Sequence, residues 1–263
     1  MTPYEKLKAV RKGDRPTGVA YIEGLFDDRL ELHGDRRFGD DAAIHAGIGN
    51  LGGMPVTYIA IEKGHDLATR MKTNFGCPKP EGYRKAQRLM KQAEKFHRPV
   101  VCFVDTLGAY CGAEGEERGQ GQAIAESIQL MVGLRTPTVS IVIGEGGSGG
   151  ALALAAADRV YMLENAVYSV ISPEGCASIL WKDSARASDA ADCLRITAED
   201  MKAFGVAERV IPENFDHFDV MCKNLRRTLQ SDLKTLMKKK PDQLVEQRYQ
   251  RFRRFGRFTE GEK

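Results

Sequence analysis

The sequence predicts an α/β fold, because short apolar runs typical of buried strands alternate with segments of helical periodicity. Residues 100–104 form a continuous apolar run, which is typical of a strand buried on both faces, and residues 138–143 predict a second buried strand. A glycine-rich loop and then a helical segment follow each of them. Ligands in α/β folds bind where strands end and helices begin, so both loops are candidate functional sites.

Before the first buried strand, the chain predicts a hairpin followed by a helix. The polar, basic N-terminus predicts a short helix and an arm. Residues 43–51 and 56–62 are rich in apolar side chains and flank two glycines, a pattern that suits a tight turn between antiparallel strands. Residues 63–80 predict a loop, or a short helix and then a loop. Residues 81–96 predict a helix, because apolar side chains recur at three- and four-residue spacing.

After the first buried strand, the predicted elements continue to alternate. A helix is predicted over residues 117–134, and a second helix, rich in alanine, over residues 149–157. Residues 159–163 and 168–171 predict further strands, and the chain from about residue 184 onward is mostly helical. This order of elements supports one continuous α/β domain.

Composition limits the class of protein. The chain has 263 residues, no apolar stretch long enough for a transmembrane helix, and no apolar N-terminal run typical of a signal peptide. We therefore expect a cytoplasmic protein. The six cysteines include no CxxC pair and the five histidines have no ligand-like spacing, so we expect no metal site.

Positive charge is concentrated at the C-terminal end. The formal net charge is +3, yet residues 223–263 alone hold 13 Lys and Arg against 5 Asp and Glu. This basic tail suits an acidic partner, coenzyme A phosphates or nucleic acid, or it is a solvated helical face. Its aromatic residues alternate with arginines, an arrangement that can stack on bases. They are Tyr249, Phe252, Phe255 and Phe258.

The second glycine-rich loop, residues 144–151, predicts a receptor for negative charge. Five of its first seven residues are glycine, and a helix is predicted to follow. Such a loop presents unpaired backbone N–H groups at the positive end of a helix dipole. The ligand is a phosphate, a dinucleotide or a transient oxyanion; the alternative is that the glycines only allow close packing. The GxGxxG pattern at residues 144–149 is weak evidence for a dinucleotide, because it does not follow the first strand.

Five motifs and a C-terminal segment occur together in a specific order. They are ELHGDR at 31–36, NFG at 74–76 with PEGYRKA at 80–86, EERGQ at 116–120, VIGEGGSGGALA at 142–153, YSVISPEGCASILWK at 168–182, and QRYQRF at 247–252. In this order they resemble the alpha subunit of the carboxyltransferase of bacterial and plastid acetyl-CoA carboxylase. In the first glycine-rich loop, residues 105–120, the family usually has prolines where this chain has Leu107 and Cys111. The N-terminal arm is short beside that of the long forms of the family, which begin with extra helices.

The resemblance implies the crotonase (ClpP-like) fold, built from repeated ββα units, with a helical C-terminal region. The predicted hairpin and helix of residues 43–96 are compatible with one such unit. The chain then divides into an N-terminal arm over residues 1–24, a crotonase-fold carboxyltransferase domain over residues 25–222, and a basic helical tail over residues 223–263.

The resemblance also implies partners and substrates. A beta subunit of the same fold completes the active site in an alpha2beta2 assembly, and zinc is expected on that beta subunit only. The biotin carboxyl carrier protein supplies carboxybiotin, biotin carboxylase belongs to the same complex, and no cofactor is bound covalently to this chain. The substrates are acetyl-CoA and malonyl-CoA, with no membrane and no nucleic acid.

The same resemblance implies the site residues. Backbone N–H groups of Gly149 and Gly150 are expected to hold the oxyanion of the biotin carbonyl, with help from Gly108 and Ala109. Further residues are expected to bind substrate, with the two cations placed on coenzyme A phosphates. They are Gly146, Gly147, Ser148, Ala151, Tyr110, Arg84 and Lys85.

Two alternatives remain open from the sequence. One is another crotonase-fold acyl-CoA enzyme that acts alone, which would need a carboxylate aimed at the substrate, such as Glu114 or Glu145. The other is a nonenzymatic scaffold or nucleic-acid-binding protein that uses the basic tail.

Overall fold

The computed structural model describes residues 1–256, and within them an eight-stranded mixed sheet is flanked by helices. The strands are β1 (Asp27–Glu31), β2 (Ile44–Asn50), β3 (Pro55–Ile61), β4 (Val100–Thr106), β5 (Thr138–Gly147), β6 (Arg159–Leu163), β7 (Val167–Ser169) and β8 (Arg209–Ile211). The helices are α1 (Pro3–Val10), α2 (Gly18–Leu25), α3 (Leu67–Lys72), α4 (Pro80–Lys95), α5 (Ala113–Glu117), α6 (Gln120–Gly133), α7 (Ser148–Ala155), α8 (Pro173–Trp181), α9 (Ala187–Leu194), α10 (Ala198–Ala203), α11 (Phe218–Met237) and α12 (Pro241–Arg253).

The sheet is antiparallel at one edge and parallel elsewhere. Its order is β1-β2-β3-β4-β5-β6-β8, and β7 pairs with the end of β5. The strands β1, β2 and β3 run antiparallel, and every pairing from β3 onward is parallel. Because parallel strands all end at the same edge, the loops after β4 and β5 lie side by side.

The predicted hairpin and the helix after it are confirmed. The turn between β2 and β3 contains Gly52 and Gly53, both at positive φ, which glycine adopts without a steric penalty. Helix α4 begins at Pro80, a favoured residue for the first turn, and completes a ββα unit. Its inner face is fully buried, so the predicted apolar periodicity marks the core. The residues are Tyr83, Ala86, Leu89, Met90 and Ala93.

The second glycine-rich segment differs from its prediction as a loop. Strand β5 continues through it to Gly147, because Gly146 pairs with Tyr168 of β7 and with Thr106 of β4. Parallel pairing on both sides thus outweighs the preference of glycine for irregular structure. The helix predicted over residues 117–134 is present as α6, which begins three residues later because Gly119 at φ +81° separates it from the short helix α5.

Helix α2 near the N-terminus belongs to the main core, whereas Leu7 and Val10 of α1 pack in a separate, smaller cluster. Tyr21 of α2 is fully buried, its ring stacks on Phe103 at 5.7 Å between centroids, and it meets the edge of Phe218 at 5.0 Å. Leu225 of α11 lies in the same hydrophobic cluster. The core therefore runs across the predicted domain boundaries at residues 24 and 222. Residues 257–263 of the predicted tail, with Phe258, lie outside the described residues.

The last helix of the basic tail, α12, carries a buried arginine that helps to anchor it. Arg248 of α12 is 1% exposed and binds both oxygens of Asp158, at 2.9 and 2.8 Å. It also donates to the carbonyls of Met131 and Leu134, each at 2.8 Å. The guanidinium thus fastens α12 to the ends of α6 and α7. No helix within residues 1–256 is long and apolar enough to cross a membrane.

We expect Arg248→Ala to lower the free energy of unfolding by about 3 kcal/mol, because it leaves the carboxylate of Asp158 buried without its cation. Urea denaturation measures the change. Arg253→Ala removes the same side chain from an exposed position of the same helix and is the matched control. Equal losses in the two variants would contradict an anchoring role for Arg248.

Candidate functional site

The junction of β5 and α7 presents backbone donors to its surroundings. Ser148 stands at φ +51°, a strained conformation for a residue other than glycine, and turns the chain directly from strand into helix. No side chain caps α7. The N–H groups of Gly149 and Gly150 lie in its first turn and have no partner within the helix. They form the positive end of the helix dipole, which favours an anion.

The loop after β4 lies directly against this junction. A Cβ on Gly147 would overlap the carbonyl of Leu107, and a Cβ on Gly150 would lie 2.6 Å from the nitrogen of Ala109. Neither glycine can be replaced without a shift of the neighbouring backbone. The structure therefore brings the two predicted glycine-rich segments together, as the end-to-end alignment of parallel strands requires.

The two predicted donors of the first loop are not equivalent. The N–H of Gly108 already donates to the hydroxyl oxygen of Thr106 at 3.0 Å, so it is not available to a ligand. The N–H of Ala109 has no hydrogen-bond partner among residues 1–256, and it lies beside Gly150. Of this pair, Ala109 is the residue that can complete an anion site.

A buried tyrosine that the sequence analysis did not single out as a site residue holds Gly150 in place. The hydroxyl of Tyr83 donates to the carbonyl oxygen of Gly150 at 3.2 Å. Burial raises the pKa of Tyr83 far above its usual range, so the hydroxyl stays protonated and remains a donor. Tyr83 belongs to the PEGYRKA motif, but only the folded chain brings residues 83 and 150 into contact.

A charged network surrounds the same junction. Asp105, near the end of β4, accepts hydrogen bonds from the N–H of Glu145 at 2.9 Å and from the ammonium of Lys63 at 3.2 Å. Arg11 then binds Glu145 at 2.7 Å and Glu174 at 2.8 Å. The hydrogen bond to Glu145 is the largest effect that raises the pKa of Arg11, so the cation is retained. Residues 11 and 63 carry no motif that predicts these contacts.

Two cavities open on either side of the junction. The first has a volume of about 530 Å³, and its walls combine three cations with an aromatic ring. They are formed by Arg11, Lys63, Arg70, Phe75, Leu107, Glu145 and Ser172. The second, of about 470 Å³, begins at Ser148 and Gly149 and is mostly apolar, with Tyr168, Phe252 and Phe255 among its walls. Glu145 of β5 thus lines the polar cavity, and the start of α7 lines the apolar one.

Comparison with known proteins identifies the family. The family model described as acetyl co-enzyme A carboxylase carboxyltransferase-like matches residues 1–256. The chain belongs to this family. It is 56% identical over 260 residues to the carboxyl transferase subunit alpha of Ruminiclostridium cellulolyticum, with 99% of this chain and 100% of that protein covered. A protein of Natranaerobius thermophilus named subunits beta/alpha is 51% identical, with 99% of this chain and 44% of that protein covered.

Solved structures confirm the expected crotonase fold of this carboxyltransferase chain. Transcarboxylase 12S aligns with a TM-score of 0.72 at 20% identity, covering 91% of this chain and 46% of that one, so the chain spans about half of its length. A Pseudomonas malonate decarboxylase hetero-tetramer in complex with coenzyme A aligns with a TM-score of 0.71 at 18% identity, covering 89% and 92%. At these identities the likeness shows the fold alone.

The two residues predicted to contact coenzyme A both form ion pairs within this carboxyltransferase chain. Arg84 binds the carboxylate of Asp35 at 2.8 Å, and its side chain is 11% exposed. Lys85 is 1% exposed and binds Asp40 at 2.5 Å. Each cation is thus already paired with a carboxylate of the chain, and its contact with a coenzyme A phosphate stays a prediction. No local sequence pattern indicates these ion pairs, because the partners lie more than 40 residues away.

Tyr110 is predicted to bind substrate, and the structure places it at the outer end of the first loop. Its hydroxyl donates to Glu114 at 3.2 Å, and the ammonium of Lys79 lies 4.9 Å from its ring centroid. The hydrogen bond from Lys79 also lowers the pKa of Glu114. Tyr110 therefore belongs to a surface cluster beside the junction. Ala151, also predicted to bind substrate, is buried in the hydrophobic core.

We expect Arg11→Gln to lower the free energy of unfolding by about 3 kcal/mol, because the carboxylate of Glu145 is 6% exposed and would lose its cation. Lys12→Gln is the matched control, since it removes the same charge from the next residue, which is exposed. Thermal and urea unfolding measure both variants. If Arg11→Gln is as stable as Lys12→Gln, the network does not support the junction.

Proposed function

We propose that this chain is the alpha subunit of the acetyl-CoA carboxylase carboxyltransferase. With its beta subunit it transfers the carboxyl group of carboxybiotin to acetyl-CoA, and the malonyl-CoA formed supplies fatty acid synthesis. The observation that carries the site assignment is the uncapped first turn of α7, where Gly149 and Gly150 present N–H groups beside that of Ala109. Relatives of the same length are named as this subunit, which supports the assignment.

The proposed reaction needs stabilised oxyanions more than it needs a side-chain base. Carboxybiotin releases CO2, and its ring is left as a ureido anion. This anion removes a methyl proton of acetyl-CoA, and the resulting enolate attacks CO2 through carbon. Donors at the start of α7 hold the ureido oxygen while it carries charge, and one such donor lowers the barrier by about 3–4 kcal/mol.

The pairing of the carboxylates supports this mechanism over an enzyme that acts alone. Glu145 accepts hydrogen bonds from Nε and Nη2 of Arg11, and Glu114 is bound by Lys79 and Tyr110. Neither is free to remove a proton from a substrate. The basic tail gives little support to a nucleic-acid-binding role, since Arg248 is buried in its ion pair.

A beta subunit is expected to provide the donors for the thioester enolate. The fused beta/alpha relatives from two organisms support such a partner. We further propose an alpha2beta2 assembly, delivery of carboxybiotin by the biotin carboxyl carrier protein, biotin carboxylase in the same complex, and zinc on the beta subunit only. No group is expected to be bound covalently to this chain, and a cytoplasmic location stays a prediction.

Malonyl-CoA-dependent carboxylation of biocytin tests the proposal, with this chain alone, with the cognate beta subunit alone, and with the pair. We expect activity only in the pair. In that pair, Gly150→Pro should lower kcat about 100-fold or more, because it removes one donor and pushes on Ala109.

Gly149→Ala is the matched control, because it keeps the N–H group and its Cβ would meet only a methyl of Ile124, at 3.3 Å. It should retain most of the activity. Gel filtration establishes that each variant still assembles with the beta subunit. Activity of this chain alone, or full activity of an assembled Gly150→Pro pair, would refute the proposal that this chain provides one half of a shared active site.

A further inference from the structure

Two cysteines lie beside a hydrogen bond that joins the first loop to the segment before α4. The N–H of Tyr110 donates to the carbonyl of Pro78 at 3.1 Å, which joins residues 107–112 to the segment before α4. Cys77 directly precedes Pro78, and Cys111 directly follows Tyr110. Each cysteine is therefore one residue away from the same hydrogen bond.

Further contacts keep these two segments together. Lys79 binds Glu114 at 2.9 Å and lies over the ring of Tyr110, whose hydroxyl also donates to Glu114. The side chain of Gln120 donates to the carbonyl of Pro78 at 3.2 Å. Contacts that do not involve sulfur thus hold the segment that contains Cys77 against the segment that contains Cys111.

The two thiols differ in exposure. Cys111 is exposed, whereas Cys77 is partly buried. Burial, and after it the neighbouring Cys111 thiol, raise the pKa of Cys77 to about 11. Charges influence each other in this way only at short range. Cys111 is also one of the two positions where the chain departs from the prolines usual in its family.

We propose that Cys77 and Cys111 are a modification site, at which a reversible disulfide ties the loop of Gly108 and Ala109 to the segment before α4. The hydrogen bond between their chain neighbours Tyr110 and Pro78 brings the two segments together, and the disulfide needs the two Cα atoms to stand about 5.5–6 Å apart. The proposal concerns a covalent state of the chain, and its formation does not depend on the proposed function.

The reaction is thiol–disulfide exchange with a low-molecular-weight disulfide, for which oxidised glutathione serves as the probe. The exposed thiolate of Cys111 attacks one glutathione sulfur and releases the other as a thiolate. The thiolate of Cys77 then attacks the sulfur of Cys111 and releases the second glutathione. Two electrons pass from the cysteines to glutathione, and the protons of the two cysteines pass through solvent to the released thiolates.

The loop that would be tied carries a proposed donor. Ala109 lies two residues before Cys111, and its nitrogen packs against Gly150. A disulfide fixes the distance between its two segments and shifts the loop relative to α7. If the proposed function holds, oxidation should lower carboxyl transfer by the alpha–beta pair about tenfold, and a thiol reductant should restore it.

Peptide mapping of the full chain tests the disulfide itself. The chain is treated with oxidised glutathione, remaining thiols are alkylated, and tryptic peptides are analysed by mass spectrometry. We expect a disulfide between the peptides of residues 73–84 and 96–118, which a reductant separates. Because Cys102 shares the second peptide, Cys111→Ser must abolish the link, whereas Cys193→Ser, which changes an exposed cysteine of α9, must leave it intact.

The pH dependence gives a second readout. Ring closure requires the thiolate of Cys77, so release of the second glutathione should become about tenfold faster for each pH unit between 7 and 9. Glutathione that stays on Cys111 without ring closure, or a link that persists in Cys111→Ser, would overturn the proposal. If the disulfide is mapped but carboxyl transfer is not lowered, only the proposed effect on the loop is overturned. If the reduced alpha–beta pair has no carboxyl-transfer activity, the result counts against the proposed function instead.

Discussion

Close contact between two strand ends, possible only because glycine has no side chain, underlies the arrangement of the whole site. Strand β5 passes into α7 so close to the preceding loop that a Cβ on Gly150 would lie 2.6 Å from the nitrogen of Ala109. This contact places a backbone donor of one loop beside the uncapped helix of the other. The parallel pairing of β4 with β5 and of β5 with β7 holds the two loops in register.

Long-range contacts keep this arrangement rigid. The hydroxyl of Tyr83 holds the carbonyl of Gly150 from one side, and Arg11 holds Glu145 from the other. Both supports use groups whose protonation is fixed, a buried phenol and a guanidinium, so the donors stay oriented before substrate arrives. Because Arg11 binds Glu145, this carboxylate is not free to act as a base at the junction. A site that offers donors without a base suits the proposed role of stabilising the ureido anion, and it agrees with the proposed need for a partner subunit.

The sequence predicted the elements with strong local signals and missed the features that depend on distant pairing. Helix α4, predicted over residues 81–96, runs from Pro80 to Lys95, because its apolar periodicity coincides with burial. The glycine-rich run of residues 144–151 predicts a loop, yet its first four residues continue β5 because β7 pairs with them. The sequence also predicts that Arg84 and Lys85 contact coenzyme A, and in the fold they pair with Asp35 and Asp40. No local pattern could show that Arg11 meets a carboxylate 134 residues away.

The most direct measurement is a structure of the alpha–beta pair with bound biocytin. The account predicts that the ureido oxygen lies about 3 Å from the N–H groups of Gly149 and Gly150, with the N–H of Ala109 near enough to complete the site. It also predicts that the beta subunit closes the open side of the junction. A ureido oxygen bound away from the start of α7, for example by side chains of the beta subunit alone, would contradict the account.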